Sequence, residues 1–253
     1  MDYIDKYRQR VAKNGNDIGE AYNNNTVNFI EATFKKAPTY RLMKVHSTQF
    51  PHITEIDARV VEVERLGSLR EVIFRPNQYL DIGTYLEFDG DYWLIYDRYT
   101  AGIKTKVLVS RCNYVLKWKD KNSNIQQIKC IASSMELGSK AKQDNLGIEW
   151  NKYDVRLPLG NLFVFVEKNP LTKTIQMNQR FIFGSNVYEV IGIDNVTNTI
   201  QNGQYGIIKF FVKITTKHPE DDFESGIAYN SFVESDEEDS GSSNDTDIGG
   251  IIW

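Results

Sequence analysis

The sequence predicts a mainly β protein, with two small antiparallel barrel or sandwich domains, a short N-terminal helical arm and an extended acidic C-terminal tail. Three observations predict it. From about residue 40 to 217 apolar and polar residues alternate in short runs bounded by turn residues. No helical stretch long enough for a crossover between parallel strands interrupts them. One hairpin pattern occurs twice, as "YLEFDGDYWLIYDRY" at 85–99 and "RFIFGSNVYEVIGID" at 180–194. The 253 residues suit two modest domains, and 41% hydrophobic with 12% aromatic content supplies material for cores.

The arm occupies residues 1–39. Tyr3, Ile4, Tyr7 and Val11 fall at helical spacing behind Asp2, and "NGND" stops the turn. After an Asn-rich connector, "TVNFIEATFKKAP" places Val27, Ile30 and Phe34 on one face, with Thr26 available as a cap and Pro38 as a terminator. Helices shorter than about 12–15 residues are marginal in water, so both need a surface to dock on.

The first β domain is expected over 40–132, with strands in "DARVVEVERL", "REVIFRP", "TYLEF", "YWLIYDRY", "KTKVLVSR", "YVLKWKD" and "IQQIKCIA". Residues 133–157 lose the alternation and read as a linker. The second β domain, 158–217, carries "NLFVFVEKN", "KTIQM", "RFIFG", "VYEVIGID" and "YGIIKFFVKITT" as a partial repeat of the first. At an offset of 95, Leu86, Phe88, Trp93 and Ile95 match Phe181, Phe183, Tyr188 and Val190. The alignment favours Gly90-Asp91 and Ser185-Asn186 as the two-residue loops, with Phe88 across from Trp93 and Phe183 across from Tyr188.

Catalytic chemistry finds no anchor. No Gly-rich phosphate loop or dinucleotide fingerprint is present, and no serine or thiol has a nucleophile context. His46, His52 and His218 have no recognisable metal-ligand spacing with Cys112 and Cys130, which read as buried thiols in a reducing compartment. The expectation is a non-enzyme with no cofactor, no metal and no membrane partner. No run of 18 apolar residues or secretory leader pattern is found, so residence in a cytosol-like compartment is expected.

Charge is divided unevenly. No Lys or Arg follows Lys217, whereas eleven acids do, so the 23 remaining acids face 30 bases and residues 1–217 carry about +7. Lys35/Lys36, Lys104/Lys106, Lys117/Lys119/Lys121 and Lys140/Lys142 are spread along the chain. A single-stranded nucleic-acid-binding barrel is therefore the alternative of another class. The tail, 218–253, has the composition of a segment that does not order itself, and it closes on "IGGIIW". Ile251, Ile252 and Trp253 form an apolar plug suited to a groove of a neighbouring subunit, a candidate assembly interface.

The stretches "NDIGEAYNNNTVNFIEATFKKAPTY" (16–40), "RCNYVLKWKD" (111–120) and "MNQRFIFGSNVYEVIGID" (177–194) resemble the neck or tail structural proteins of tailed bacteriophages of Firmicutes, often described as head closure proteins. In that group a helical arm ends in a segment like P-T-Y, one strand reads R-C-N…L-K-W and a later pair reads R-F-I-F-G…Y-V. The resemblance spans about residues 1–215 and rests on packing patterns. It implies a homo-oligomeric ring stacked between portal or adaptor and tail, closing the capsid channel after packaging. Double-stranded DNA would pass through that ring without sequence-specific contact. The resemblance implies a virion location and no catalytic residue; a tail or tail-tip component is the close alternative. The acidic tail lies outside the pattern.

Overall fold

The computed structural model describes residues 2–12, 15, 17–62, 68–101, 104–134 and 160–231. Two helices open the chain, α1 (Tyr3–Ala12) and α2 (Ile18–Thr33). The second begins earlier than the Thr26 cap predicts, so the Asn-rich stretch is helical. Asp17, in extended conformation, accepts the backbone N–H of Glu20 at 2.8 Å and caps the first turn. Thr26 sits mid-helix, its hydroxyl donating to the Tyr22 carbonyl at 2.9 Å.

Six strands follow: β1 (Tyr40–His46), β2 (Glu55–Glu62), β3 (Leu69–Phe74), β4 (Tyr85–Phe88), β5 (Asp91–Ala101) and β6 (Lys104–Arg111). β1 precedes the segments singled out from the sequence. The strands close into an antiparallel barrel in the order β1-β2-β3-β6-β5-β4. Met43, Val72, Phe74, Leu86, Trp93 and Val107 lie in its interior.

The rest of the described chain gives β7 (Tyr114–Lys119), β8 (Ile125–Ser133), β9 (Asn161–Glu167), β10 (Arg180–Phe183), β11 (Asn186–Asp194), β12 (Thr199–Ile200) and β13 (Tyr205–Thr215). Their order, β7-β8-β9-β13-β11-β10 with β12 as an appendage on β13, reproduces the first barrel strand for strand. The interior holds Leu116, Trp118, Val164, Phe181, Val190 and Phe210.

Two sequence expectations change here. β7 and β8, expected in the first β domain, belong to the second unit: Ile131, Ala132 and Ser133 pair with Phe165, Val164 and Phe163. Alternation alone cannot say which sheet a hairpin joins, so the division falls at Cys112–Asn113 and the expected linker connects two paired strands. "KTIQM" is not a strand either. Asn169 and Thr172 cap each other through backbone N–H to side-chain bonds of 3.0 and 2.9 Å, and the chain coils into a 3₁₀ turn at Thr172–Thr174.

The duplication at an offset of 95 extends into backbone detail. Gly83 N–H donates to the Ile95 carbonyl at 2.8 Å and Ile95 N–H to Thr84 at 2.9 Å; Asn178, Val190 and Gln179 repeat both bonds at 2.8 and 2.9 Å. Gly83 and Asn178 share positive φ, 93° and 65°. A bulge follows each, between Ile95 and Asp97 and between Val190 and Gly192.

The hairpin loops lie one residue earlier than the sequence alignment favours, which shifts the pairing by two. Leu86 faces Trp93 and Phe181 faces Tyr188. Asp89 and Gly90 both have positive φ, 51° and 84°, as a type I′ turn demands, and Gly184 takes 62° at the first position of its own loop. A two-residue shift keeps every side chain on its face. Phe88 and Trp93 therefore still stack, diagonally, with ring centroids 5.1 Å apart, and Phe183 meets Tyr188 edge-on at 5.5 Å.

The outer faces of the barrels are welded by a third apolar cluster of Tyr85, Leu94 and Tyr96 against Ile131, Phe163, Phe165 and Ile207. β9 is thus covered on both sides, which explains its unbroken apolar run. The buried Tyr85 hydroxyl donates to the Lys129 carbonyl at 2.6 Å and accepts from Glu167 N–H at 3.1 Å. Burial holds its pKa well above the ordinary tyrosine value, so it stays a donor. Glu167 in turn accepts from the backbone N–H and hydroxyl of Thr48, both at 2.8 Å. At the closest approach a Cβ on Gly83 would lie 2.1 Å from the Gly206 carbonyl oxygen, so only glycine fits.

Candidate assembly surfaces

The arm is fastened at one end. Phe34, in the 3₁₀ turn that extends α2, is buried with the guanidinium groups of Arg59 and Arg75 4.6 and 4.7 Å from its ring centre. Arg75 also pairs with Glu31 of α2 and, at 2.8 Å, with Asp57 of β2. Burial works to raise the Asp57 pKa, but the hydrogen bonds from Tyr40 and Arg75 outweigh it and hold the carboxyl below its usual range. Away from this anchor five large apolar residues of the arm are uncovered: Tyr3 is 83% exposed, Tyr22 72% and Phe29 70%, with Ile4 and Tyr7 exposed beside Tyr3. Among the described residues of the faces that the sequence assigns to a docking surface, Ile30 and Phe34 are buried and Val27 half-buried, whereas Tyr3, Ile4 and Tyr7 are exposed.

The second surface is the seam between β10 and β7. In the first barrel the corresponding seam is paired, Lys44 with Glu87 and His46 with Tyr85, and Glu87 binds Lys44 at 3.1 Å and His46 at 3.0 Å. In the second barrel side chains span the gap: Tyr114 packs on Phe183 and accepts the Gly184 N–H at 2.7 Å, while Trp118 meets Phe181 edge-on. The start of the acidic tail, expected to be unstructured, braces this seam.

Four contacts build the brace. Asn230 copies a strand partner, accepting Arg180 N–H at 2.7 Å and donating to the Arg180 carbonyl at 3.1 Å. The Asp221 carboxylate is wholly buried, receives Arg180 at 2.9 and 3.1 Å, and accepts the N–H groups of His218 and Tyr229 at 2.6 and 2.9 Å. Lys117 donates to the Ser225 carbonyl at 3.0 Å. Ala228 covers Ile182 and Val187. Burial pushes the Asp221 pKa up, yet these donors and Arg180 together bring it below the ordinary carboxylate value.

The candidate plug Ile251, Ile252 and Trp253 lies outside the described residues. Several lysines of the basic body have partners within the chain: Lys35 with Asp57, Lys106 with Glu71 and Lys117 with the tail. Lys140 and Lys142 fall outside the described residues. Cys130 is buried and Cys112 half-buried, both reduced; burial pushes the Cys112 thiol up to about 12 and raises Cys130 as well. His218 stacks on Tyr229 at 4.2 Å as part of the brace. Among the described residues no helix is long and apolar enough to cross a membrane. The sequence reading missed the brace, although Asp221, Asn230 and the apolar Ile227-Ala228 pair stand out within an otherwise acidic stretch.

Residues 114–213 match the family model described as the YomX C-terminal domain. The match starts on the first residue of β7 and ends in β13, so it coincides with the second barrel and assigns β7 and β8 to it. That family is phage-associated, which is consistent with a phage protein. No curated protein matches. Among solved structures, one described as "MrkH, a novel c-di-GMP dependence transcription regulatory factor" is similar at 9% identity over 79% of this chain and 86% of that one. Its TM-score is 0.23, too low to carry an argument.

Proposed function

We propose that the protein is a virion structural component of the phage head-to-tail interface, a neck subunit that assembles into a ring, closes the capsid channel and joins portal or adaptor to tail. The observation that carries this reading is the helical arm, anchored at Phe34 and uncovered along Tyr3, Ile4, Tyr7, Tyr22 and Phe29. A row of large apolar side chains held off a rigid body is suited to a neighbouring copy, and such head-to-tail contacts close into rings when the rotation permits. The welded pair of barrels supplies the stiffness that a channel wall requires. The phage-associated family of the second barrel supports the setting, and the resemblance to neck proteins points to the position. The proposal includes a virion location, a homo-oligomeric partner and no catalytic role.

Mass photometry and negative-stain imaging of the purified chain test it. Rings of one fixed subunit number are expected, and Tyr22→Ser/Phe29→Ser should return folded monomers. A chain that stays monomeric at tens of micromolar, with the double variant indistinguishable from it, would remove the ring and with it the neck assignment.

A further inference from the structure

A depression lies at the end of the second barrel. A cleft of about 430 Å³ opens between the β7–β8 turn and the loop before β10, over Trp118, with Leu171 at its lip. Lys119, Lys121 and Lys173 rim it, and Asp120 is the one acid of its lining. Asp120 is occupied within its own turn, accepting the N–H groups of Asn122 and Asn124 and the Gln126 amide, at 2.8–2.9 Å. The cleft therefore presents an apolar lip inside a cationic rim. Leu171 is 45% exposed there, on a loop that the buried Asn169–Thr172 capping pair holds in place.

We propose that this cleft seats the acidic, apolar-ended segment 245–253 of the same chain, "DTDIGGIIW". Charge complementarity is the first argument: the segment carries Asp245 and Asp247 and no base, and residues 232–244 before it five further acids and no base, against three lysines on the rim. Apolar complementarity is the second, since Ile251, Ile252 and Trp253 offer side chains for the Leu171 lip and the floor over Trp118. Position is the third. Asn230 lines an adjoining depression that shares Lys119 with this cleft, so residues 232–253 follow on from a point beside the β7–β8 hairpin.

Reach favours the same chain over a neighbour. The thirteen residues 232–244 span at most about 45 Å when extended, ample for one barrel end, and a tether of that length keeps its end at roughly millimolar effective concentration. The sequence alone points the plug at a neighbouring subunit; the placement of residues 219–231 points it home. The inference rests on charge and geometry and is independent of the virion reading.

Disulfide trapping in the full-length chain tests it. Leu171→Cys with Ile251→Cys should form an intramolecular bridge on mild oxidation, visible as a monomer of altered gel mobility. Cys112 and Cys130 stay out of the exchange because burial keeps them as thiols. Leu42→Cys on β1, exposed on the first barrel, replaces Leu171→Cys as the control partner and should trap poorly. Adding Lys119→Glu, Lys121→Glu and Lys173→Glu, all surface changes, should cut the bridge yield by about fivefold, as should about 0.5 M salt. Equal trapping at Leu42 and Leu171, a covalent dimer in place of the bridged monomer, or a yield indifferent to the charge reversal would each overturn the assignment. So would an oligonucleotide that binds the wild type with steep salt dependence and loses binding on charge reversal, since phosphate would then be the occupant of the rim.

Discussion

The two barrels share one topology and one 95-residue register, yet they close differently. The first barrel seals itself: β1 and β4 pair through their backbones, and Lys44, His46 and Glu87 decorate the seam on the solvent side. The second leaves β10 and β7 to side-chain contacts and calls on a segment from beyond its last strand, with Asp221, Asn230 and Ala228 laid along β10. At the position of Glu87 the second barrel has Ile182, an apolar residue that cannot pair with a lysine and is covered by the tail instead. A duplicated unit can thus exchange a self-contained closure for one that depends on the segment following its last strand.

The largest effect expected from breaking this comparison is in the interiors. Trp93 and Tyr188 are equivalent by the repeat, but Trp93 is 4% exposed in the closed barrel and Tyr188 only partly buried in the open one. Trp93→Ala is expected to cost about 3–5 kcal/mol in denaturant unfolding, and Tyr188→Ala clearly less. Equal costs would mean that the second barrel is as well sealed as the first. Trp93→Phe should be milder than either, because the indole Nε1 of Trp93 is buried without a hydrogen-bond partner among the described residues and its loss removes that penalty.

The sequence carries most of the architecture and little of the closure. Strand existence, the inward faces of both hairpins and the repeat were legible because apolar alternation survives a two-residue shift. The shift itself was not, since Asp89-Gly90 and Gly90-Asp91 are both acceptable turn pairs and only the positive φ of Asp89 and Gly90 decides between them. The allegiance of β7 and β8 was hidden for a related reason: a hairpin with one buried face looks the same whichever sheet receives it. The brace was obscured by its composition. Acids usually signal a solvated tail, and it takes the buried Arg180 opposite Asp221 to turn one of them into a fixed contact.

The brace gives the second largest effect. Arg180 and Asp221 are 16% and 0% exposed at the side chain, and removing one partner of a buried pair strands the other. Asp221→Asn is expected to destabilise by about 3 kcal/mol, with faster amide exchange along β10 and the 221–230 strap and little change in the first barrel. The pH dependence has a definite sign. A carboxyl whose folded pKa is depressed contributes fully above the unfolded value of about 3.9 and loses that contribution as pH falls through the lower folded value. Asp194, held at about 2 against the pull of burial by the Thr197 and Val196 N–H groups and Lys209, acts in the same unit and the same direction. Exchange protection of the second barrel should therefore fall between about pH 4 and pH 2, with a flatter profile in Asp221→Asn. A variant that keeps the full acid sensitivity of the strap would place the titrating group elsewhere.

The smallest effect belongs to the seam that needs no brace. Glu87 is held below the ordinary carboxylate range by His46 and then Lys44, but all three side chains meet solvent, where ion pairs are screened and contribute little. Closure there resides in the β1–β4 backbone pairing, which a side-chain change leaves intact. Glu87→Gln should shift the unfolding midpoint by a small fraction of the Asp221→Asn shift, and raised salt should erase the difference from wild type. If Glu87→Gln instead opens the first barrel to exchange at Lys44–His46 as strongly as Asp221→Asn opens β10, both barrels depend on charged clasps and the contrast between a self-sealed and a strapped unit fails.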